Sequence, residues 1–222
     1  MLDRPVWNAL STRQTHHAQG SPAALRLAPT IGVFAAAAST TPDHLNALAA
    51  LAPPGGQIWL VENESFPIPP GLQTISAALC HQMRLDTLTP AKTAITAEPL
   101  TEADAPAMLA LATLTRPGPF FARTHMLGRF IGLKKNGALV AMAGERLQPP
   151  GFTEVSGVCT HPDHRGRGHA GALMRLVAAR ILARGETPFL HVYASNTGAI
   201  ALYEALGFTL RRAITMTILE RR

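Results

Sequence analysis

Residues 161–174 read HPDHRGRGHAGALM, placing Gly166, Gly168, Gly171, Arg165 and Arg167 between a proline and an apolar run. Upstream, TEVSGVCT (153–160) has the β-branched content of a strand. Downstream, Leu173, Met174, Val177, Ala178, Ile181 and Leu182 form one face of a helix that Gly185 ends. A loop between a strand and a helix gathers backbone N–H groups and the positive end of the helix dipole at one spot, which binds anions, phosphates above all. Glycine at 166 and 168 lets the backbone approach an oxygen and take positive φ. Arg165 and Arg167 add charge-assisted hydrogen bonds. The three glycines also spell GxGxxG, but the polar turn HPDHR intervenes after the strand. The next strand, PFLHVYA, ends without an acid to hold a ribose, and the preceding strand belongs to a hairpin series, so these features argue against a dinucleotide fold. GxxxxGK[ST] is absent.

Outward from that loop, Asn196 caps a helix TGAIALYEAL closed by Gly207, and FTLRRAITMTILERR supplies two last strands. Before the loop, IGLKKNGALVAMAGERL reads as two strands joined by an Asn136-Gly137 hairpin turn. TEADAPAMLALATL is a helix with Thr101 as N-cap and Asp104 three residues on, and HMLGRF is a second short helix after the loop RPGPFFART. Residues 1–85 read as a small α/β unit: strand TIGVFAAAA, helix HLNALAALA opened by TTPD, a PPGG turn, then strands QIWLVEN and TISAALCHQM. The Thr- and Pro-rich LDTLTPAKTAITAEPL marks a crossover or linker, dividing the chain into a unit at 1–90 and a mixed α/β domain at 91–222.

The bulk numbers bound the partners. With 222 residues, 47% hydrophobic and 15% charged, the chain can bury a sizeable core. Its longest apolar run is far short of a membrane span and MLDRPVWNAL lacks a signal peptide's apolar stretch, so a cytoplasmic protein without a membrane partner is expected. Cys80 and Cys159 lie in apolar strands and read as buried free thiols. The net charge of +6 is spread over single arginines with no aromatic-interleaved stripe, which argues against nucleic acid.

Two motifs carry a family resemblance. Arg165-Gly166-Arg167-Gly168-His169-Ala170 resembles the R/Q-x-x-G-x-G/A loop of the GNAT superfamily of acyl-CoA-dependent N-acyltransferases, and VCTHPDHRGRGHA looks like its FR-type, glycine-acyltransferase-like branch. ASNTGAIALYEALGF is similar to the family's N-x-x-A-x-x-x-Y-x-x-x-G-F segment, with Asn196, Ala199, Tyr203, Gly207 and Phe208 in matching places. The resemblance covers residues 95–222. It implies an α/β fold of the mixed α+β kind with a central mixed, largely antiparallel sheet, preceded here by the smaller N-terminal unit, a candidate degenerate half of the same fold. It implies acetyl-CoA as co-substrate, its pyrophosphate held by Arg165, Gly166, Arg167, Gly168, His169 and Ala170. The pantetheine arm would lie along Val158, Cys159 and Thr160, beside a bulge with which Gly157 is compatible. Asn196, Ala199 and Tyr203 complete the cofactor contacts.

Acyl transfer to an amine needs a neutral nucleophile, a polarised thioester carbonyl and a proton for the departing thiolate. An amine of pKa about 10.4 is only ~0.04% neutral at pH 7, a penalty of about 4.6 kcal/mol. Glu154 is the expected general base: it stands eleven residues ahead of Arg165, where the resemblance implies the base of several superfamily members, and a strand's alternation would put it on one face with Ser156, Val158 and Thr160. Glu145 is its rival, and without a catalytic role Glu154 would be a solvated carboxylate at the strand end or a partner for Arg146 across the hairpin. Tyr203 matches the family's tyrosine that protonates the leaving sulfur, and a backbone N–H near Val158 would serve as oxyanion donor. Phe120, Phe121 and Arg123 are candidates for the acceptor pocket. His161, His164 and His169 with Cys159 do not have the convergence of a metal site, so no metal is expected. His191 reads as a satisfied strand residue. The expectation is an N-acetyltransferase acting on a primary amine of a small molecule or peptide by direct attack in a ternary complex, monomeric or homodimeric, with the acceptor's identity and acyl-chain preference open. A catalytically silent acyl-CoA-binding module of the same fold is the alternative.

Overall fold

The structure is a computed structural model that describes residues 1–62, 66–90 and 95–222. The chain opens with α1 (Pro5–Leu10), the hairpin β1 (Ala18–Ser21) and β2 (Ala24–Leu27), and β3 (Ala35–Ala37). Then come α2 (Pro42–Leu51), β4 (Gln57–Glu62) and β5 (Leu72–Leu85). The second part holds β6 (Glu98–Pro99), α3 (Ala105–Thr115), β7 (Ile131–Lys135), β8 (Ala138–Glu145), β9 (Phe152–Thr160), α4 (His169–Ala183), β10 (Thr187–Tyr193), α5 (Thr197–Leu206) and β11 (Phe208–Arg221). Asn63, at the end of the expected strand QIWLVEN, and residues 91–94, in the expected linker, lie outside the described residues.

One eight-stranded sheet runs β4-β11-β5-β10-β9-β8-β7-β6, and β1-β2-β3 make a second, small sheet. Among the described residues only the β9–β10 pair in the large sheet is parallel. β5 lies between β10 and β11, so strands from both sides of residue 90 share this sheet. Alternation along β8 sends Ala141 and Ala143 to a core with Leu173, Met174, Val177 and Ile181 of α4, while Met142 packs with Met108 and Leu111 of α3. The opposite face of β5, β10 and β11 is covered by Val6, Ala9 and Leu10 of α1 together with Leu27, Ile31 and Phe34.

Local signals behave as their chemistry requires. The Asp104 carboxylate accepts the Thr101 backbone N–H at 2.9 Å. Asn136 and Gly137 take φ of 51° and 80°, the turn a two-residue hairpin needs. Three expectations need correction. The final segment is one 14-residue strand whose irregularity at Leu210/Arg212 bends it without ending it. HMLGRF yields only a 3-10 turn at Thr124–Leu127. The strand expected over TIGVFAAAA forms at Ala35–Ala37, beside α1 and the β1–β2 hairpin, which carry no strong sequence signal. Among the described residues no helix is long and apolar enough to cross a membrane.

Candidate active site

β9 and β10 pair in parallel only from Phe152 to Glu154 against Thr187 to Phe189, and beyond that they separate. On its other side β9 is bulged: Ser156 faces Gly144 and Cys159 faces Met142, so Gly157 and Val158 stand opposite the single residue Ala143. Gly157 has φ +63°, and a Cβ there would meet the Phe130 ring. The gap between the strands opens into a cleft of about 960 Å³. α4 and α5 begin at it. Gly168 precedes α4 in the left-handed conformation, and the Asn196 carbonyl oxygen accepts the Ala199 N–H at 3.2 Å to cap α5.

Every residue expected to contact the cofactor lines this cleft: Val158, Cys159, Thr160, Arg165, Gly166, Arg167, Gly168, His169, Ala170, Asn196, Ala199 and Tyr203. The residues fit an acyl-CoA on the structure's own terms. Gly166 and Gly168 hold φ of +73° and +76° with open space where a Cβ would stand, leaving the loop backbone unshielded. Thr160 Oγ1 is buried with no hydrogen-bond partner among the described residues. Arg165 and Arg167 make only 3.4 Å contacts to the carbonyls of Thr160 and Asp163, so their charge is available to an anion. His161 and His164 stack edge-to-face at 5.9 Å.

A second cavity of about 120 Å³ adjoins the cleft and shares with it Trp59, Pro117, Pro119, Tyr193, Asn196 and Tyr203. Tyr203 therefore faces both spaces. Burial pushes its phenol above the ordinary value, so it stays protonated and able to donate. Among the described residues no Asp or Glu lines either cavity.

Glu154 is elsewhere. It is 0% exposed. Arg146 Nε donates to its Oε2 at 2.8 Å and Arg146 Nη2 to its Oε1 at 2.7 Å. His191 Nδ1 lies 2.7 Å from Oε1, and the Leu147 N–H donates to Oε2 at 3.3 Å. Burial would raise its carboxyl, but the Arg146 charge and the hydrogen bonds from Arg146 and His191 outweigh burial and hold it well below the usual carboxylate range. The expected sharing of a face with Val158 and Thr160 does not occur, because the extra residue at the bulge reverses the alternation after Ser156. Val155 and Val158 thus both pack toward the α4 core. The rival Glu145 is paired with Arg184 at 2.9 Å.

The network continues past His191. Gln82 donates from Nε2 to the Leu2 carbonyl at 2.8 Å and accepts from Arg211 at 2.7 Å through Oε1. That orientation makes its Nε2, 3.0 Å from His191 Nε2, the donor there, which leaves the His191 proton on Nδ1 facing Glu154. Both ring nitrogens are satisfied. Phe120 and Phe121 line a neighbouring cavity of about 360 Å³ and Phe120 stacks edge-on with Phe130, while Arg123 Nε contacts Met126 Sδ. The wall beside Tyr203 is Pro117–Pro119 instead. Trp59, Phe34 and Arg146 also enter the small cavity, and the first two carry no motif that could have singled them out.

Residues 130–216 match the family model described as FR47-like protein. Over 100% of this chain and 98% of the other, the fold superposes with a TM-score of 0.93 and 47% identity on a Novosphingobium aromaticivorans protein assigned to the GNAT family as an acetyltransferase. The chain belongs to the GNAT family. A GCN5-related N-acetyltransferase from Kribbella flavida shares the GNAT fold at 18% identity, TM-score 0.65, covering 96% of this chain and 95% of that one. The N-alpha-acetyltransferase RimI of Mycobacterium tuberculosis is 37% identical over 82 residues, 36% of this chain, and the match spans about half (51%) of that relative.

Proposed function

We propose that this GNAT protein transfers an acetyl group from acetyl-CoA to a primary amine by direct attack in a ternary complex. The observation that carries the reading is the convergence of all twelve expected cofactor contacts, Tyr203 among them, on one cleft at the splayed strands. The thioester supplies the activated acetyl group. Arg165, Arg167 and the N–H groups of the glycine loop hold the anionic end. Val158, beside the bulge, offers its backbone to the pantetheine arm and the carbonyl oxygen. The amine nitrogen bonds to the carbonyl carbon, the C–S bond breaks, and Tyr203 gives its proton to the thiolate and regains one from water.

Glu154 acts in this reading as a positioning residue that fixes Arg146 and His191. With no carboxylate on either cavity among the described residues, the acceptor enters as the free amine and loses its surplus proton to water. The burial of Glu154 in an ion pair is also what a catalytically silent acyl-CoA binder would have, and Tyr203 on both cavities favours the enzyme.

Thermal unfolding tests the cofactor part. Acetyl-CoA at 100 times its dissociation constant should stabilise wild type by about 2.7 kcal/mol. NAD should not, and Gly168→Trp should fold but lose the shift. No shift in wild type would remove the reading, and a shift without CoA release on any amine would favour the silent binder.

A further inference from the structure

Three cavities meet at one tryptophan. The cleft of about 960 Å³, the small cavity of about 120 Å³ and the neighbouring cavity of about 360 Å³ are all lined by Trp59, Gly118 and Pro119. Two rows of residues cross from the small cavity to its larger neighbour at the same level. On β4, Gln57, Trp59 and Val61 share a face, each about 7 Å from the next. Gln57 lines the larger cavity, Val61 the small one, and Trp59 between them lines both. On the loop after α3, Pro117 lines the small cavity, Phe121 the larger one, and Gly118 and Pro119 between them line both. The boundary is therefore a wall with two sides, the Trp59 indole from the N-terminal unit and Pro119 from the second part of the chain.

The indole is held on every side. The Trp59 backbone N–H donates to the Val33 carbonyl at 2.9 Å, and Ile218 of β11 is its partner in the sheet. Its Nε1 donates to Gln57 Oε1 at 3.3 Å, and Phe34 packs edge-on against the ring with centroids 6.2 Å apart. Tyr203 lines the cleft and the small cavity, whereas the larger cavity is lined by Thr113, Phe120 and Phe121. An amine that attacks the thioester beside Tyr203 thus keeps its body in the small cavity. A cavity of about 150 Å³ takes a benzene, so one of about 120 Å³ admits a chain of a few carbons and is too small for a phenyl group while the wall stands.

We infer that Trp59 is a specificity-determining residue: its indole closes the small cavity against the larger one and restricts the acceptor to compact primary amines. This deepens the transferase reading and rests on it for the word acceptor, but the wall can be tested without turnover. CoA-saturated protein is titrated calorimetrically with two neutral amides, N-propylacetamide and N-phenethylacetamide. Wild type is expected to bind the propyl amide about tenfold tighter or better, although the phenyl group has more apolar surface to bury. Trp59→Ala leaves a space that its surroundings fill only in part, and should move the ratio of the two affinities about tenfold or more toward the phenethyl amide. Trp59→Leu should move it less in the same direction, and as the milder change it carries the test if the alanine variant fails to fold. Each ratio is measured within one protein, so a loss of stability does not enter it. Failure of the propyl amide to bind wild type, a wild-type preference for the phenethyl amide, or a ratio that the folded variants leave unchanged overturns the inference. CoA release from acetyl-CoA with propylamine and with phenethylamine is the second arm. If the amide ratio moves but no amine releases CoA, only the transferase reading falls. If both amines release CoA with a kcat/KM ratio that the Trp59 variants leave unchanged, the assignment to Trp59 falls and the transferase reading stands.

Discussion

Removing the Glu154 carboxylate leaves Arg146 and His191 beside each other in the interior with no anion between them. Glu154→Ala should therefore cost about 3–5 kcal/mol of stability, read as a loss of denaturation midpoint. The wild-type pH dependence carries the same signature. A carboxyl held below its ordinary value of 4.5 contributes stability that is present above that value and lost as pH falls below it. Wild type should weaken on acidification from about pH 4.5 downward, and Glu154→Ala, already weakened at neutral pH, should show a shallower acid limb. Tyr203→Phe should do the reverse, lowering kcat while leaving acetyl-CoA binding in place, since the hydroxyl and not the ring carries the proton. Equal stability of the Glu154 variant and wild type across that range would deny the ion pair its role. The positions of these two side chains were unequally legible in the sequence. Tyr203 sits in a motif on a helix, whose period is regular. Glu154 sits before a bulge, where counting by two gives the wrong face.

At the level of elements, the irregularity in β9 does more for the site than any single side chain. Gly157 supplies the positive φ and the close approach to Phe130 that let one strand carry Glu154 into the interior and Val158 and Thr160 to the cleft. Gly157→Ala should lose more than about 1 kcal/mol, because an L residue is disfavoured at that φ and its Cβ meets an aromatic ring. Acetyl-CoA affinity should fall with it, checked by the ligand-induced shift in unfolding midpoint. An unchanged midpoint and affinity would mean the bulge is incidental. Helices α3, α4 and α5, the Asn136-Gly137 hairpin and the caps at Thr101 and Asn196 were readable, because each depends on a few neighbours in sequence. The length of β11 was not: the two strands expected there are one, irregular at Leu210/Arg212, where Asp3 lies 2.8 Å from both Arg211 and Arg212.

The whole molecule is held together by that kind of long reach. Asp3 binds Arg211 and Arg212, the Leu2 carbonyl takes Gln82, and Gln82 touches His191, so the first residues of the chain are linked by hydrogen bonds to the wall of the small cavity. The sheet runs across the boundary expected near residue 90. A fragment of residues 91–222 would lack the strand between β10 and β11 and expose an edge on each. It is expected to be insoluble or to lack a cooperative unfolding transition, and a soluble, cooperatively folded fragment would establish 91–222 as a domain in its own right. The position of β5 also sets a timetable for synthesis. β5 is complete when Leu85 is made, yet its two neighbours follow roughly a hundred residues later, a separation of the kind that slows folding. A nascent chain thus carries a strand with two open edges, Ile75 and Leu79 among its apolar residues, until β10 and β11 have been made. The sheet closes only when β11 reaches it, so yield in a cell should depend on holding that early strand apart from other chains until then.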